Sequence, residues 1–186
     1  MTRRQLLTAG VALAAAGAGF GLAAWRRSVP VPASSAFDAA PKALPTDASP
    51  IWTLEFDAAR GAPIQLQAFF GQPLLVNFWA TWCGPCVKEM PMLDAFARAQ
   101  SAKGLRVLGL AVDSPTPVRE FLLNQAIEFP NGLAGMDGVE LSRKLGNSQG
   151  GLPFTVVFDA KGVLVDKKMG ALTSEDLSGW AKRLVT

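Results

Sequence analysis

The 186-residue sequence contains no histidine and no tyrosine, and only two cysteines. Without an imidazole, Ser-His-Asp and Cys-His hydrolases lose their base, and zinc, copper and haem sites lose their commonest ligand. Two cysteines cannot build the disulfide framework of a stapled secreted miniprotein. Cations are scarce where a polyanion would need them. Arg3, Arg4, Arg26 and Arg27 are four of the 18 Lys and Arg, so residues 28–186 keep 14 cations against 15 acids, a net charge of −1. No basic stripe is left to track phosphates, which argues against nucleic acid as a partner. Apolar residues make up 49% and charged residues 18%, ample for a core and too apolar for general disorder. The length suits one domain plus an extra segment.

That extra segment is residues 1–27. A charged head, Thr2-Arg3-Arg4, precedes residues 6–24, which carry no charge and are rich in Ala and Gly. The run is at the short end of the ~17–25 residues a membrane-crossing helix needs, and Arg26-Arg27 stops it. Three readings fit: a retained single-span anchor with its N-terminus in the cytoplasm, a signal peptide cleaved near Ala33-Ser34-Ser35-Ala36, or a buried helix of the soluble domain. Thr2-Arg3-Arg4-Gln5-Leu6-Leu7 also resembles a twin-arginine export signal. Both export readings put the domain outside the cytoplasm, on the periplasmic side of a bacterial inner membrane. Residues 28–50 hold Pro30, Pro32, Pro41, Pro45 and Pro50 among Ala and Ser, and read as an extended linker.

The remaining residues, 51–186, read as one α/β domain. Residues 51–56 and 64–66 fit short strands either side of a turn. Residues 74–80 are nearly all apolar and bounded by Gly and Pro, the pattern of a strand buried on both faces. Helical spacing over residues 85–100, with Pro91 predicting a kink, is followed by a strand over 106–112. Helices are expected over 116–125 and 139–145, a hairpin over 154–158 and 163–168, and a last helix from Thr173. The order β-α-β-α-β-β-α implies a central mixed sheet with helices on both faces.

Both cysteines lie in Trp82-Cys83-Gly84-Pro85-Cys86, where the buried strand gives way to a helix. Unpaired N–H groups and partial positive charge at a helix N-terminus favour a thiolate there. The spacing lets the sulfurs form and break one disulfide, with Cys83 the exposed nucleophile at the helix entrance and Cys86 the buried resolving thiol. Other readings are weaker. A loop this small constrains the unfolded chain little, and a zinc half-site finds no His and no further Cys, so no metal is expected.

The segment from Leu74 through Asn77, Cys83, Cys86 and Glu89 to Pro91, together with Gly151-Leu152-Pro153-Phe154-Thr155 and the hairpin Phe158-Asp159-Ala160-Lys161-Gly162, resembles the thioredoxin superfamily. Within it the chain is similar to the membrane-tethered TlpA-like and ResA-like thiol-disulfide reductases and their relatives in cytochrome c maturation. The resemblance implies a thioredoxin-like fold, no cofactor beyond the dithiol, and a cis peptide bond before Pro153 that bares the backbone of Leu152 to a bound polypeptide. It implies Trp82 as partner-facing surface and Gly84-Pro85 as a dipeptide typical of reductants. Asn77 stands where thioredoxin carries a buried, proton-accepting aspartate, and an amide cannot take that proton. Glu89, three residues after Cys86 on the same helical face, matches the acid ResA-like proteins place near the dithiol, and is expected to manage the proton of Cys86.

The expected function is reduction of protein disulfides, with apocytochrome c or a copper-site assembly partner as substrate. A membrane electron donor of the DsbD/CcdA type would re-reduce the pair, and residues 6–25 would hold the protein at the membrane. A disulfide oxidase or isomerase, and a non-enzymatic tethered chaperone or metallochaperone, are the alternatives. A peroxiredoxin-type peroxidase is disfavoured, because Ala80 stands where that class has Thr. Partner choice is expected near Leu152 and in residues 125–137.

Overall fold

The computed structural model describes Leu44 and residues 49–185, so the expected anchor, export signal and most of the linker lie outside the described residues. Among the described residues, no helix is long and apolar enough to cross a membrane.

Strand β3 (Leu74–Trp79) organises the domain, because all six of its side chains are buried. A strand apolar on both faces can be satisfied only in the middle of a covered sheet. It runs parallel to β4 (Arg106–Ala111), which runs parallel to β5 (Asn131–Leu133). On its other side it pairs antiparallel with β6 (Phe154–Phe158), itself antiparallel to β7 (Leu164–Met169). The sheet order is β5-β4-β3-β6-β7, a mixed sheet of the thioredoxin type. A separate two-stranded ribbon, β1 (Glu55–Phe56) with β2 (Ile64–Gln65), precedes it.

Alternation along the strands divides the core. Leu75, Trp79, Val107 and Val157 face helices α1 (Gly84–Ser101), α2 (Pro115–Asn124) and α4 (Ser174–Leu184), meeting Met90, Leu93, Leu122 and Trp180. Leu74, Val76, Phe78, Leu108 and Phe158 face the other way, against Trp52, Leu66, Phe69 and the apolar side of α3 (Asp137–Lys144). Each large apolar side chain so enclosed contributes on the order of 1.5–3 kcal/mol.

Two expectations are corrected. Residues 51–56 are not one strand: Pro50–Thr53 form a 3-10 turn and only Glu55–Phe56 are extended. The reason is that the consecutive residues Ile51 and Trp52 both pack into the same side of the core, whereas neighbours in a strand point to opposite faces. Trp52 packs edge-on to Phe70 and Phe158 and donates its indole N–H to Gly162 O at 3.1 Å. The expected element order also lacked a strand: residues 125–137 contain β5, an edge of the sheet, with Phe129 and Asn131 buried. Elsewhere the boundaries agree within a residue or two, and Pro91 lies inside α1 as read.

Asn131 is held by a polar contact within the core. Its Oδ1 accepts the Trp79 indole N–H at 2.9 Å, and its amide donates to Phe129 O. Gly109 beside it on β4 permits this, since a Cβ there would fall 1.9 Å from Asn131 Oδ1. Gly109→Ala should therefore destabilise the domain by about 1–3 kcal/mol. Urea unfolding of Gly109→Ala, Asn131→Ala and the double variant checks this, with a positive coupling between the two sites as the expected result.

Candidate active site

The end of β3 aims the chain straight into the N-terminus of α1. Thr81 turns it, and Asp113, from the loop after β4, fixes that turn by accepting both the Thr81 backbone N–H at 2.9 Å and its hydroxyl at 2.5 Å. Cys83 then caps α1, its sulfur accepting the N–H of Cys86 at 3.3 Å. Cys83 and Cys86 are joined by a disulfide. Cys86 is fully buried and Cys83 is 7% exposed. The order of accessibility is the one read from the sequence, but Cys83 is shielded more than an exposed nucleophile would be. Its neighbours supply the surface: Gly84 and Pro85 are exposed, and Trp82 is 69% exposed.

Behind the disulfide lies a buried polar cluster. Glu89, one turn beyond Cys86, is 4% exposed. Its Oε1 accepts from the Asn77 side-chain amide at 2.9 Å and its Oε2 from the Leu172 backbone N–H at 2.8 Å. The same Asn77 nitrogen donates to Thr155 Oγ1 at 3.1 Å. Burial raises the Glu89 pKa above the ordinary glutamate value, opposed by the Leu172 N–H, the Asn77 amide and the charge of Lys168. A solvated helix charge would have none of these features.

The loop before β6 forms the other flank. The Leu152–Pro153 peptide bond is cis, Pro153 is buried and Leu152 is half-buried. Asn147 pins this loop to α3: its amide donates to Gly151 O at 2.9 Å and to Ser142 Oγ at 3.2 Å. A cavity of about 600 Å³ opens between the two flanks, with Trp82, Val112, Met136, Val139 and Leu152 as its main apolar lining and Asp113 at its wall. Met136 is 79% exposed, so one end of segment 125–137 does front the groove. Asn147 and Asp113 were not singled out in the sequence; Asn, Asp and Ser in loops carry no distinguishing pattern. Among the described residues no three Cys, Asp or Glu converge as a metal-holding group.

A central mixed sheet with a Cys-x-x-Cys disulfide at the head of the first long helix defines a thioredoxin-fold dithiol protein. Comparisons agree. The Redoxin family model matches residues 34–184. The chain is 31% identical over 125 residues to thiol-disulfide oxidoreductase ResA of Bacillus anthracis, covering 67% of this chain and 70% of that protein. Among solved structures it resembles a thiol:disulfide interchange protein of the thioredoxin family from Chlorobium tepidum TLS (TM-score 0.66, 24% identity, 80% of this chain and 99% of that one). It also resembles a secreted thiol-disulfide isomerase from Corynebacterium glutamicum (TM-score 0.63, 26% identity, 72% and 83%). The chain belongs to the Redoxin family, and within the thioredoxin superfamily it is a ResA/TlpA-like thiol-disulfide oxidoreductase.

The Glu89 environment sets a pH dependence. A carboxyl whose pKa is raised on folding binds its proton more tightly in the folded chain. Its stabilising contribution is therefore complete below the ordinary glutamate pKa and is lost as pH rises through the folded value. Glu89→Gln removes that loss. The stability of Glu89→Gln relative to the parent should rise as pH climbs from the ordinary glutamate pKa through the raised folded value and then level off, as read by denaturant unfolding of the oxidised proteins across pH; a constant difference would contradict it.

Proposed function

We propose that the protein reduces disulfides of other proteins on the exported side of a bacterial inner membrane, with Cys83 as nucleophile and Cys86 as resolving thiol. The observation that carries this reading is the carboxyl of Glu89 buried one turn behind the buried cysteine, with the more accessible cysteine next to exposed Trp82. In the reduced protein, the N–H groups that open α1 would favour a Cys83 thiolate. That thiolate attacks one sulfur of the substrate disulfide; the substrate S–S bond breaks and its other sulfur leaves as a thiolate. Cys86 gives its proton to Glu89 and attacks Cys83 Sγ. The mixed disulfide breaks, the second substrate sulfur leaves, and the Cys83–Cys86 disulfide forms. Two electrons pass to the substrate, and a thiol donor of the DsbD/CcdA type restores the dithiol.

The groove between Trp82, Met136 and Leu152 fits an extended polypeptide with an apolar side chain beside its cysteine, and the backbone at Leu152 can pair with it as an added strand. Apocytochrome c cysteines, or those of a copper-site assembly partner, are the substrates that kinship with ResA and TlpA suggests. Export is supported by the charge pattern of residues 1–27 and by solved relatives described as secreted. Residues 6–25 would tether the domain.

Trapping tests the mechanism on the full chain. Cys86→Ser should accumulate a mixed disulfide through Cys83, identifiable by mass spectrometry, and Cys83→Ser should reduce no insulin disulfides. Glu89→Gln should leave attack by Cys83 intact and slow release of the mixed disulfide about a hundredfold, the lower end of what a positioned base supplies. A reduction potential in the range of DsbA-type oxidants would overturn the reductant reading.

A further inference from the structure

Asn77 is fully buried in the middle of β3, opposite Gly109 on β4 and Thr155 on β6. Its side chain shares a face with Leu75 and Trp79, the face that receives Cys86 and Met90 of α1. The amide nitrogen makes two hydrogen bonds, to Glu89 Oε1 and to Thr155 Oγ1, while the amide oxygen Oδ1 has no donor at all. Buried polar groups are rarely left so, because an unmade hydrogen bond leaves the full desolvation penalty of the group uncompensated. A core position that keeps an orphaned acceptor has an alternative arrangement to account for.

The chemistry of Glu89 supplies one. As a carboxylate it needs two donors, and it has them in the Asn77 amide and the Leu172 N–H. As a carboxylic acid it carries a proton and needs an acceptor. The Leu172 N–H is backbone and cannot become one, so of the two partners only Asn77 can offer an acceptor, and a proton on Oε1 facing it would be opposed by the Asn77 N–H. A half-turn of the Asn77 amide about its last side-chain bond brings Oδ1 to that place, and such terminal torsions are broad and two-fold. The Thr155 hydroxyl accepts in the first arrangement; it rotates to donate to Oδ1 in the second. One end of the amide is orphaned in either state, so the exchange adds no unpaired group.

We propose that Asn77 is a positioning residue for the proton step: its amide donates to Glu89 when Glu89 is ionised and turns over to accept from it when Glu89 is protonated, with the Thr155 hydroxyl following. This rests on the reading of Glu89 as the proton carrier for Cys86. The step balances. The Cys86 S–H proton moves to Glu89 Oε1 as the Cys86 sulfur attacks Cys83 and the substrate sulfur departs as a thiolate; once the disulfide has formed, the proton passes from Glu89 to water, which protonates the released thiolate. Aspartate at position 77 would compete for that proton, and leucine would serve neither state. The charged and titratable groups around the cluster are Cys86 on α1 and Lys168 on β7, the latter paired with Asp176 at the start of α4; β3 and β6 contribute only neutral groups.

The test follows Glu89 and Asn77 together across pH in the full chain. In the parent protein, the Asn77 side-chain nitrogen and the Glu89 carboxyl carbon should titrate by NMR with one midpoint. Asn77→Leu, close in shape and apolar, removes a charge-assisted hydrogen bond from the ionised state and a weaker neutral one from the protonated state, so it should move the Glu89 midpoint, and with it the acid limb of mixed-disulfide release, upward by about one pH unit, the difference between the two. Thr155→Val should move both in the same direction by less, and gives a second route should Asn77→Leu fold poorly. An Asn77 nitrogen indifferent to the Glu89 midpoint, or variants that lose stability with the pH profile unmoved, would overturn the proposal while Glu89→Gln still flattens that profile. If Glu89→Gln leaves the profile unmoved, the carrier reading itself fails and the proposal with it.

Discussion

A carboxylate removed from water must be given donors by the protein, and much of the site is arranged by that demand at Glu89. Its two oxygens draw on β3 through Asn77 and on the segment between β7 and α4 through Leu172, a residue 83 positions away in the chain. Because Glu89 sits on α1, the bonds tie the dithiol helix to the central strand and to the entrance of the last helix. Breaking either bond leaves a buried charge short of a donor, which costs more than an ordinary hydrogen bond contributes. The same clamp that supports packing thus fixes where a proton could rest behind Cys86.

Position along the chain gives the dithiol its polarity. The helix capped by Cys83 presents the Cys86 N–H to that sulfur, while the Cys86 side chain, one turn inside, is enclosed by core. Two chemically identical side chains acquire different surroundings from three residues of helix. The surroundings follow the same division: around Cys83 stand exposed Trp82 and half-buried Leu152, and behind Cys86 stand Asn77, Thr155 and Glu89. Apolar surface gathers on the Cys83 side and buried hydrogen-bonding groups on the Cys86 side, the division the proposed mechanism uses.

The parts legible in the sequence are those where one physical demand dominates several adjacent residues. Residues 74–79 could be read as a doubly buried strand because every position is under the same constraint, and the dithiol because the chain has no other cysteine. The parts not legible depend on contacts distant in sequence. β5 is only Asn131-Gly132-Leu133, too short for any period, and exists because β4 offers an open edge and Ala59 and Asp57 brace its far side. Residues 51–53 alternate well enough to suggest a strand, yet Trp52 is drawn inward by Phe70, Phe158 and Gly162. Asp113 and Asn147, which hold the two flanks of the groove, act through backbone groups whose positions no local pattern announces.

The missing histidine gains meaning from this geometry. An imidazole titrates near neutrality without help, so a protein that owns one need not bury it to make it useful. A carboxyl group starts too acidic to hold a thiol's proton, and only desolvation brings it closer to the thiol range. Burial then forces the question of donors, and the donors chosen decide how far the carboxyl can rise: the Leu172 N–H, the Asn77 amide and Lys168 hold it down, and exclusion of water by the surrounding packing pushes it up. Solvated glutamates elsewhere on the surface could not substitute, since water would return them to their ordinary acidity. Under the proposed mechanism the proton chemistry of the dithiol is inseparable from the packing of β3 against α1, and a substitution that lets water reach Glu89 would lower its basicity without touching either cysteine.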